Sequence, residues 1–190
     1  MVWNTLIGVA LGGLIGWGGQ VLHLKYQHYR DMKNLAGSLA GEMSALLKLL
    51  ENRNFEQNLQ YKIKEIRANP GQPIKITDVY YVIIEQDYLE IFKSNSGRIG
   101  LLGSYAKDVA FFYTITKGLF DMNAFFKPMR DTLFEGKELT GTRDSLADSY
   151  SEILRELSRL KEEGQRLLPI LEKLNAPGFF KSALHFLTVA

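Results

Sequence analysis

The chain of 190 residues contains no cysteine, and this absence excludes several classes of function. Without thiols the protein forms no disulfide, no thiolate metal site and no cysteine nucleophile. A net charge of +2 is too nearly balanced to predict nucleic-acid binding. The hydrophobic fraction of 46% and the charged fraction of 23% are typical of a folded protein and not of a disordered chain.

Aspartate, glutamate, lysine and arginine are all absent from residues 2–24. As a helix these residues span roughly 34 Å at about 1.5 Å per residue, and a membrane hydrocarbon core is about 30 Å thick. A cleaved signal peptide is the alternative, but it carries its positive charge before the apolar run. Here the cations follow the run, so residues 1–24 are predicted to be a transmembrane helix.

Small and polar residues share one face of this predicted helix, at about 100° of turn per residue, and bulky residues lie opposite. Glycines spaced four apart allow two helix backbones to approach closely in a membrane. The pattern predicts self-association, with a pore lumen as a further hypothesis, and the alternative is that glycine is simply frequent in membrane helices. The predicted face comprises Thr5, Gly8, Gly12, Gly16, Gly19, Gln20 and His23.

Basic and aromatic residues flank the uncharged stretch and predict its orientation. Short basic flanks stay in the cytoplasm, and tryptophan and tyrosine concentrate at membrane interfaces. We therefore expect a single-pass protein of a bacterial inner membrane, with its N-terminus outside and its C-terminal domain in the cytoplasm. The expected interface residues are Trp3, Lys25, Tyr26, Tyr29, Arg30 and Lys33.

Apolar residues at helical spacing and the absence of proline predict a stalk helix over residues 25–68. The run Asn69-Pro70-Gly71-Gln72-Pro73 ends that helix and opens a helical cytoplasmic domain, 69–190. Residues 74–84 are rich in β-branched and aromatic side chains and read as either a strand or a helix. A helix from Asp78 onward is favoured, because no second strand offers a partner.

Two long helices complete the expected fold. Ser104 is the predicted N-cap of a helix that runs to Glu135, with a kink at Pro128. Thr142 is the predicted N-cap of a second helix, in which apolar residues follow alternating steps of four and three. This helix is expected to bend near Gly164 and to end at the run Asn175-Ala176-Pro177-Gly178. The fold class is therefore all-α: an N-terminal transmembrane helix that continues into a stalk, then a small helical bundle with a long antiparallel hairpin. The apolar tail 179–190 is expected in the core, with the membrane surface as the alternative.

Glycines spaced in threes precede the first of these long helices. Backbone amides at a helix N-terminus hold phosphate groups, so an anionic or nucleotide ligand is one hypothesis for this loop. A packed turn is the alternative, because two leucines lie in its middle. The candidate ligand residues are Gly97, Arg98, Gly100, Ser104 and Lys107.

Catalytic patterns are missing from the sequence. The carboxylates read as solvated helix charges with lysine or arginine nearby, and acid–base chemistry needs a pair isolated in an apolar setting. His23 and His28 are five residues apart, which is poor spacing for metal ligation on one helical face. We expect no enzyme activity, no cofactor and no metal, and His23 as a proton sensor is a secondary hypothesis.

The run IFKSNSGRIGLLGSYAKDVAFFYTITKGL (91–119) resembles a segment of small uncharacterised bacterial membrane proteins, in which one span precedes a helical cytoplasmic domain. The resemblance implies the architecture and carries no activity. Analogy with single-span proteins of bacterial antiviral systems suggests an oligomeric membrane effector, pore-forming or membrane-perturbing, controlled through its cytoplasmic domain. The alternative is a non-conducting anchored adaptor. The expected partners are membrane lipid, further copies of the chain and a cytosolic protein, without direct contact to nucleic acid.

Overall fold

The computed structural model describes residues 2–82, 86–139 and 142–176, with the side chains of 2–11, 14–15 and 86–87 outside that description. Every regular element in these ranges is helical, which confirms the predicted all-α class. The α-helices are α1 (Val2–Asn52), α2 (Phe55–Arg67), α3 (Glu90–Asn95), α4 (Ala106–Phe134) and α5 (Arg143–Asn175). The 3₁₀ segments are Ile76–Asp78, Gln86–Leu89 and Ser96–Tyr105.

Helix α5 lies at the centre of the bundle and packs against α1, α2 and α4. Its buried positions follow the alternating four- and three-residue steps that the sequence predicts, because this spacing keeps one face turned toward the neighbouring helices. Thr142 caps it as predicted, since Thr142 Oγ1 accepts a hydrogen bond from the Ser145 amide at 3.2 Å. The buried apolar face comprises Leu146, Ala147, Tyr150, Ile153, Leu157, Leu160, Leu167 and Leu171.

Helices α4 and α5 form the predicted antiparallel hairpin. The start of α4 meets the end of α5 where Arg166 Nη1 lies 2.9 Å from Asp108 Oδ2. Farther along α4, the rings of Phe126 and Tyr150 have centroids 4.9 Å apart. α4 continues through Pro128 as a single helix.

Helix α1 runs without interruption from Val2 to Asn52 and joins the bundle through its C-terminal third. Leu35, Leu39 and Met43, which are apolar residues at helical spacing, are at most 3% exposed. Helix α1 packs against α5, and Leu47 lies over Gly164. The segment predicted as a separate stalk therefore contributes part of the bundle core.

The prediction of one helix through residue 68 is wrong in one detail, because the chain breaks at Arg53–Asn54. Asn54 adopts the left-handed conformation (φ 48°), which asparagine tolerates better than most residues. The break lets Phe55 and Leu59 of α2 turn into the core, where both are at most 3% exposed.

The predicted helix from Asp78 onward is also wrong. Residues 76–78 form one 3₁₀ turn, and Val79 that follows is extended (φ −83°, ψ 105°). Side chains of α4 and α5 supply the hydrogen bonds that a second strand would make. The Asn123 side-chain amide accepts from the Val82 N–H and donates to the Val82 carbonyl. The Tyr150 hydroxyl accepts from the Tyr80 amide at 2.6 Å. These partners satisfy the extended backbone.

Helix α4 begins one residue later than predicted. Ser104 is not its cap, because Tyr105 occupies the N-cap position without a side-chain hydrogen bond. A 3₁₀ run, Ser96–Tyr105, precedes it and is interrupted by a kink at Gly103 (φ 59°, ψ −124°). Such a conformation is strained for any residue with a Cβ, so glycine is required there.

Across the residues that the structure describes, no helix combines the length and the apolarity needed to cross a membrane. The predicted apolar tail, 179–190, lies outside the described residues.

Candidate functional site

The exposed part of α1, residues 12–30, carries the predicted self-association face. Gly12, Gly16 and Gly19 are exposed, and a Cβ built on any of them meets no atom within 4 Å. Trp17 is 68% exposed on the other side of the helix. Large apolar surface left open on a helix commonly marks a contact with protein or membrane. For Trp3, Thr5 and Gly8 the structure describes the helical backbone alone.

An open groove of about 440 Å³ brings four members of the predicted face together, and Leu24 borders it. At its lower end His23 Nε2 lies 2.9 Å from Gln27 Nε2, one helical turn away. The groove residues from the predicted face are Gly16, Gly19, Gln20 and His23.

Five of the six expected interface residues lie at residues 25–33 of α1, where the exposed part of the helix approaches the bundle. Lys25 and Arg30 are exposed, Tyr26 is 51% exposed, and Tyr29 and Lys33 are half-buried. They follow the uncharged stretch within three turns and surround the helix. The structure thus places five of the six predicted interface residues on one short segment.

The candidate ligand loop is a packed turn in the structure. Ile99 and Leu102 are at most 8% exposed and fasten the 3₁₀ run to the bundle. Arg98 points toward α1, with its Nη2 3.6 Å from Asp31 Oδ2. Tyr105 and not Ser104 occupies the N-cap of α4, without a side-chain hydrogen bond, and the anionic ligand stays a prediction. Gly97, Gly100, Ser104 and Lys107 are exposed.

A buried polar cluster, which the sequence did not predict, holds residues 69–82 against α5. Arg143 Nη2 and Asp78 Oδ1 are 2.8 Å apart, and both side chains are at most 4% exposed. Arg143 also donates to the Gln72 side chain at 3.3 Å. The Tyr150 hydroxyl donates to the Asp78 carbonyl at 3.1 Å. Burial, together with the nearby Asp78 charge, raises the pKa of Tyr150.

A second buried carboxylate, Glu42 of α1, fixes the start of α3. Its two oxygens accept from the amides of Ile91 at 2.8 Å and Phe92 at 3.1 Å. The Phe92 ring stacks on Tyr113 with centroids 4.0 Å apart. Burial and then the adjacent Glu42 raise the pKa of the Tyr113 hydroxyl above its ordinary value. This arrangement ties α1, α3 and α4 together just before the 3₁₀ run.

Among the residues that the structure describes, no three or more histidine, aspartate or glutamate side chains are grouped so that they could hold a metal ion. Segment 91–119, which carries the sequence resemblance, forms α3, the 3₁₀ run and the first half of α4. No family model, no curated protein and no solved structure matches the chain.

Proposed function

We propose that the protein is a single-span membrane effector that self-associates through the glycine face of α1, with its helical bundle on the cytoplasmic side of a bacterial inner membrane. One observation supports this most directly: α1 is a single helix from Val2 to Asn52. Its C-terminal third lies in the bundle core, while its glycine face is exposed. The proposed association face and the part of α1 that packs in the bundle therefore belong to one helix.

The continuity of α1 suggests how the bundle controls the span. The close fit of Leu47 over Gly164 ties the rotation and height of α1 to α5. A ligand or partner that changes this packing rotates all of α1. The rotation reaches the glycine face, because no break separates it from the part of α1 in the bundle. Glycine faces turned toward one another then allow the backbones to approach and associate.

The test compares two glycines of α1 that differ in the face they occupy. Gly16 belongs to the predicted face, and Gly18 lies about 200° around the helix; a Cβ on either meets nothing within 4 Å in the single chain. We expect Gly16→Leu to reduce the mass of the full-length protein in nanodiscs from a discrete oligomer to a monomer, and Gly18→Leu to leave it unchanged. A monomeric parent protein, or equal effects of both substitutions, contradicts the proposal.

Ion flux separates a pore from a non-conducting assembly. Protein reconstituted in dye-loaded vesicles is expected to release the dye, and the Gly16→Leu variant to release little. Assembly without release would keep the self-association and reject the pore.

An anchored adaptor is the second candidate function, and the exposed aromatic residues of α4 favour it. Phe125 is 65% exposed and borders a groove of about 360 Å³ between α4 and α5, which Met122, Phe126 and Ile153 also line. Such an apolar groove suits a docked helix of another protein. Replacement of residues 2–24 by an unrelated apolar span separates the two functions. An adaptor still docks its partner after this replacement, whereas an effector no longer self-associates or releases dye.

A further inference from the structure

The loop Ser96–Tyr105 lies beside α1 just after the proposed span. The contact of Arg98 with Asp31 marks its position. Asp31 follows Leu24 by seven residues, which is about 10 Å along a helix. The polar headgroup layer is roughly 5–8 Å thick on each side of the hydrocarbon core, and electrostatic attraction reaches about another 8–10 Å at physiological salt. Arg98 thus lies within reach of lipid phosphates, provided that the proposed span is inserted.

The cations of α1 leave one side of the helix without positive charge. Counted from Asp31 at about 100° per residue, Lys25, Lys33 and Arg30 lie near 120°, 200° and 260°. The remaining arc of about 220° contains no lysine or arginine between residues 24 and 34, and Asp31 stands at its centre. A negative charge at that height repels an anionic membrane surface.

Arg98, which belongs to the loop and not to α1, supplies a positive charge on this side of the helix. Its side chain is 51% exposed and that of Asp31 is 43% exposed, so the pair is open to solvent. A guanidinium has five N–H donors, and contact with one carboxylate leaves donors for a phosphate oxygen. The buried Ile99 and Leu102 keep the loop in place. Arg98 therefore both offsets the Asp31 charge and presents a donor group on that side.

We infer that Lys25, Arg30, Lys33 and Arg98 form a cationic collar that binds the anionic phospholipid headgroups around α1. This collar depends on the proposed membrane insertion of α1, and anionic phospholipid is the lipid class that it selects. Arginine suits this position because its planar fork binds phosphate through two parallel hydrogen bonds. The glycine-rich loop then serves to carry Arg98 to the membrane and not to enclose a soluble ligand.

The experiment measures which lipids surround the full-length protein. The protein is reconstituted in phosphatidylcholine bilayers that contain spin-labelled phosphatidylglycerol or spin-labelled phosphatidylcholine, and the association of each with the protein is compared. We expect preference for phosphatidylglycerol, about fivefold weaker in Arg98→Gln, which is the factor that one cation near the surface contributes. Lys127→Gln is the matched control, because Lys127 is an exposed cation toward the far end of α4. It is expected to leave the preference unchanged.

A second variant separates lipid binding from a merely structural ion pair. Asp31→Asn also breaks the contact with Arg98, but it removes the repelling charge. The collar predicts that Asp31→Asn strengthens the preference for phosphatidylglycerol, whereas a structural pair predicts that both variants weaken it. Equal weakening, or no effect of Arg98→Gln, would overturn the inference.

Failure of the inference is distinguishable from failure of the proposed function. A protein that does not float with neutral phosphatidylcholine vesicles has no inserted span, and the proposed function fails with it. Flotation without a preference that depends on Arg98 rejects the collar alone. Inorganic phosphate is also added at constant ionic strength. If it removes the preference for phosphatidylglycerol, the cations bind a free anion and the lipid assignment is rejected.

Discussion

Arg143 and Asp78 form an ion pair of 2.8 Å in which both side chains are at most 4% exposed. The pair joins the first turn of α5 to the 3₁₀ turn at Ile76–Asp78. Breaking a buried pair by removing one partner is costly, because the other charge stays in a poorly solvated site. We expect Arg143→Met to lower the free energy of unfolding by about 3–5 kcal/mol, measured by chemical denaturation of the full chain in mild detergent.

An exposed pair on the same helix is the control for this prediction. Arg155 lies 3.1 Å from Glu152, with side chains 66% and 56% exposed. Arg155→Met is expected to change the free energy of unfolding by no more than about 1 kcal/mol. Similar losses in Arg143→Met and Arg155→Met would show that burial does not govern the cost of removing the charge.

Buried tyrosines predict a loss of stability at alkaline pH. Tyr113 and Tyr150 have pKa values raised by burial above the ordinary value of 10.0. Above pH 10 the unfolded chain releases these protons while the folded chain keeps them, so stability that is complete below pH 10 falls as pH rises. The expected slope is about 1.4 kcal/mol per pH unit for each group. Tyr150→Phe should therefore lower the slope between pH 10 and 11, and an unchanged slope would contradict this assignment.

The carboxylate of Glu42 is expected to hold the backbone at the start of α3 in place. Glu42→Leu removes the acceptor of two backbone amides, Ile91 and Phe92, and each buried group left without a partner costs about 1–3 kcal/mol. We expect faster amide hydrogen exchange across residues 90–105. Glu51→Leu, an exposed change on the same helix, is expected to leave exchange there unaffected. If the two variants behave alike, Glu42 does not hold the 3₁₀ run in place.

The features predicted correctly from the sequence depend on short-range patterns. The apolar steps of α5 and the Thr142 cap involve residues within one or two turns of each other, so the sequence displays them directly. The end of α5 at Asn175 follows in the same way from the turn residues after it. Likewise, Leu102 in the middle of the glycine-rich run indicated a packed turn, which is what the structure contains.

The features missed depend on partners far apart in the sequence. The extended conformation of residues 79–82 needs Asn123 and Tyr150, which lie 41 and 70 residues from the amides they bind. Arg143 and Asp78 are 65 residues apart. No local pattern signals such pairs. The break at Asn54 had a weak signal, because asparagine at residues 52 and 54 is a poor helix former.

Gly164 provides a test of the close packing between α1 and α5. The bend that the sequence predicted there stays a prediction. Helix α5 is continuous at Gly164, where a Cβ would lie 2.7 Å from Leu47 Cδ1 and 3.2 Å from Phe112 Cε2. Overpacking costs about 1–3 kcal/mol, more than the roughly 1 kcal/mol that alanine gains over glycine in a helix. We expect Gly164→Ala to lower the midpoint of thermal unfolding.

Gly118 of α4 is the matched control, because a Cβ there meets nothing within 4 Å. Only the helix-propensity term applies, so Gly118→Ala should stabilise the protein by up to about 1 kcal/mol. The two substitutions are the same chemical change in two long helices, and their opposite signs isolate the close approach at Gly164. If Gly164→Ala also stabilises, Leu47 yields easily, and the coupling of α1 to α5 on which the proposed control of the span depends is weaker than its geometry indicates.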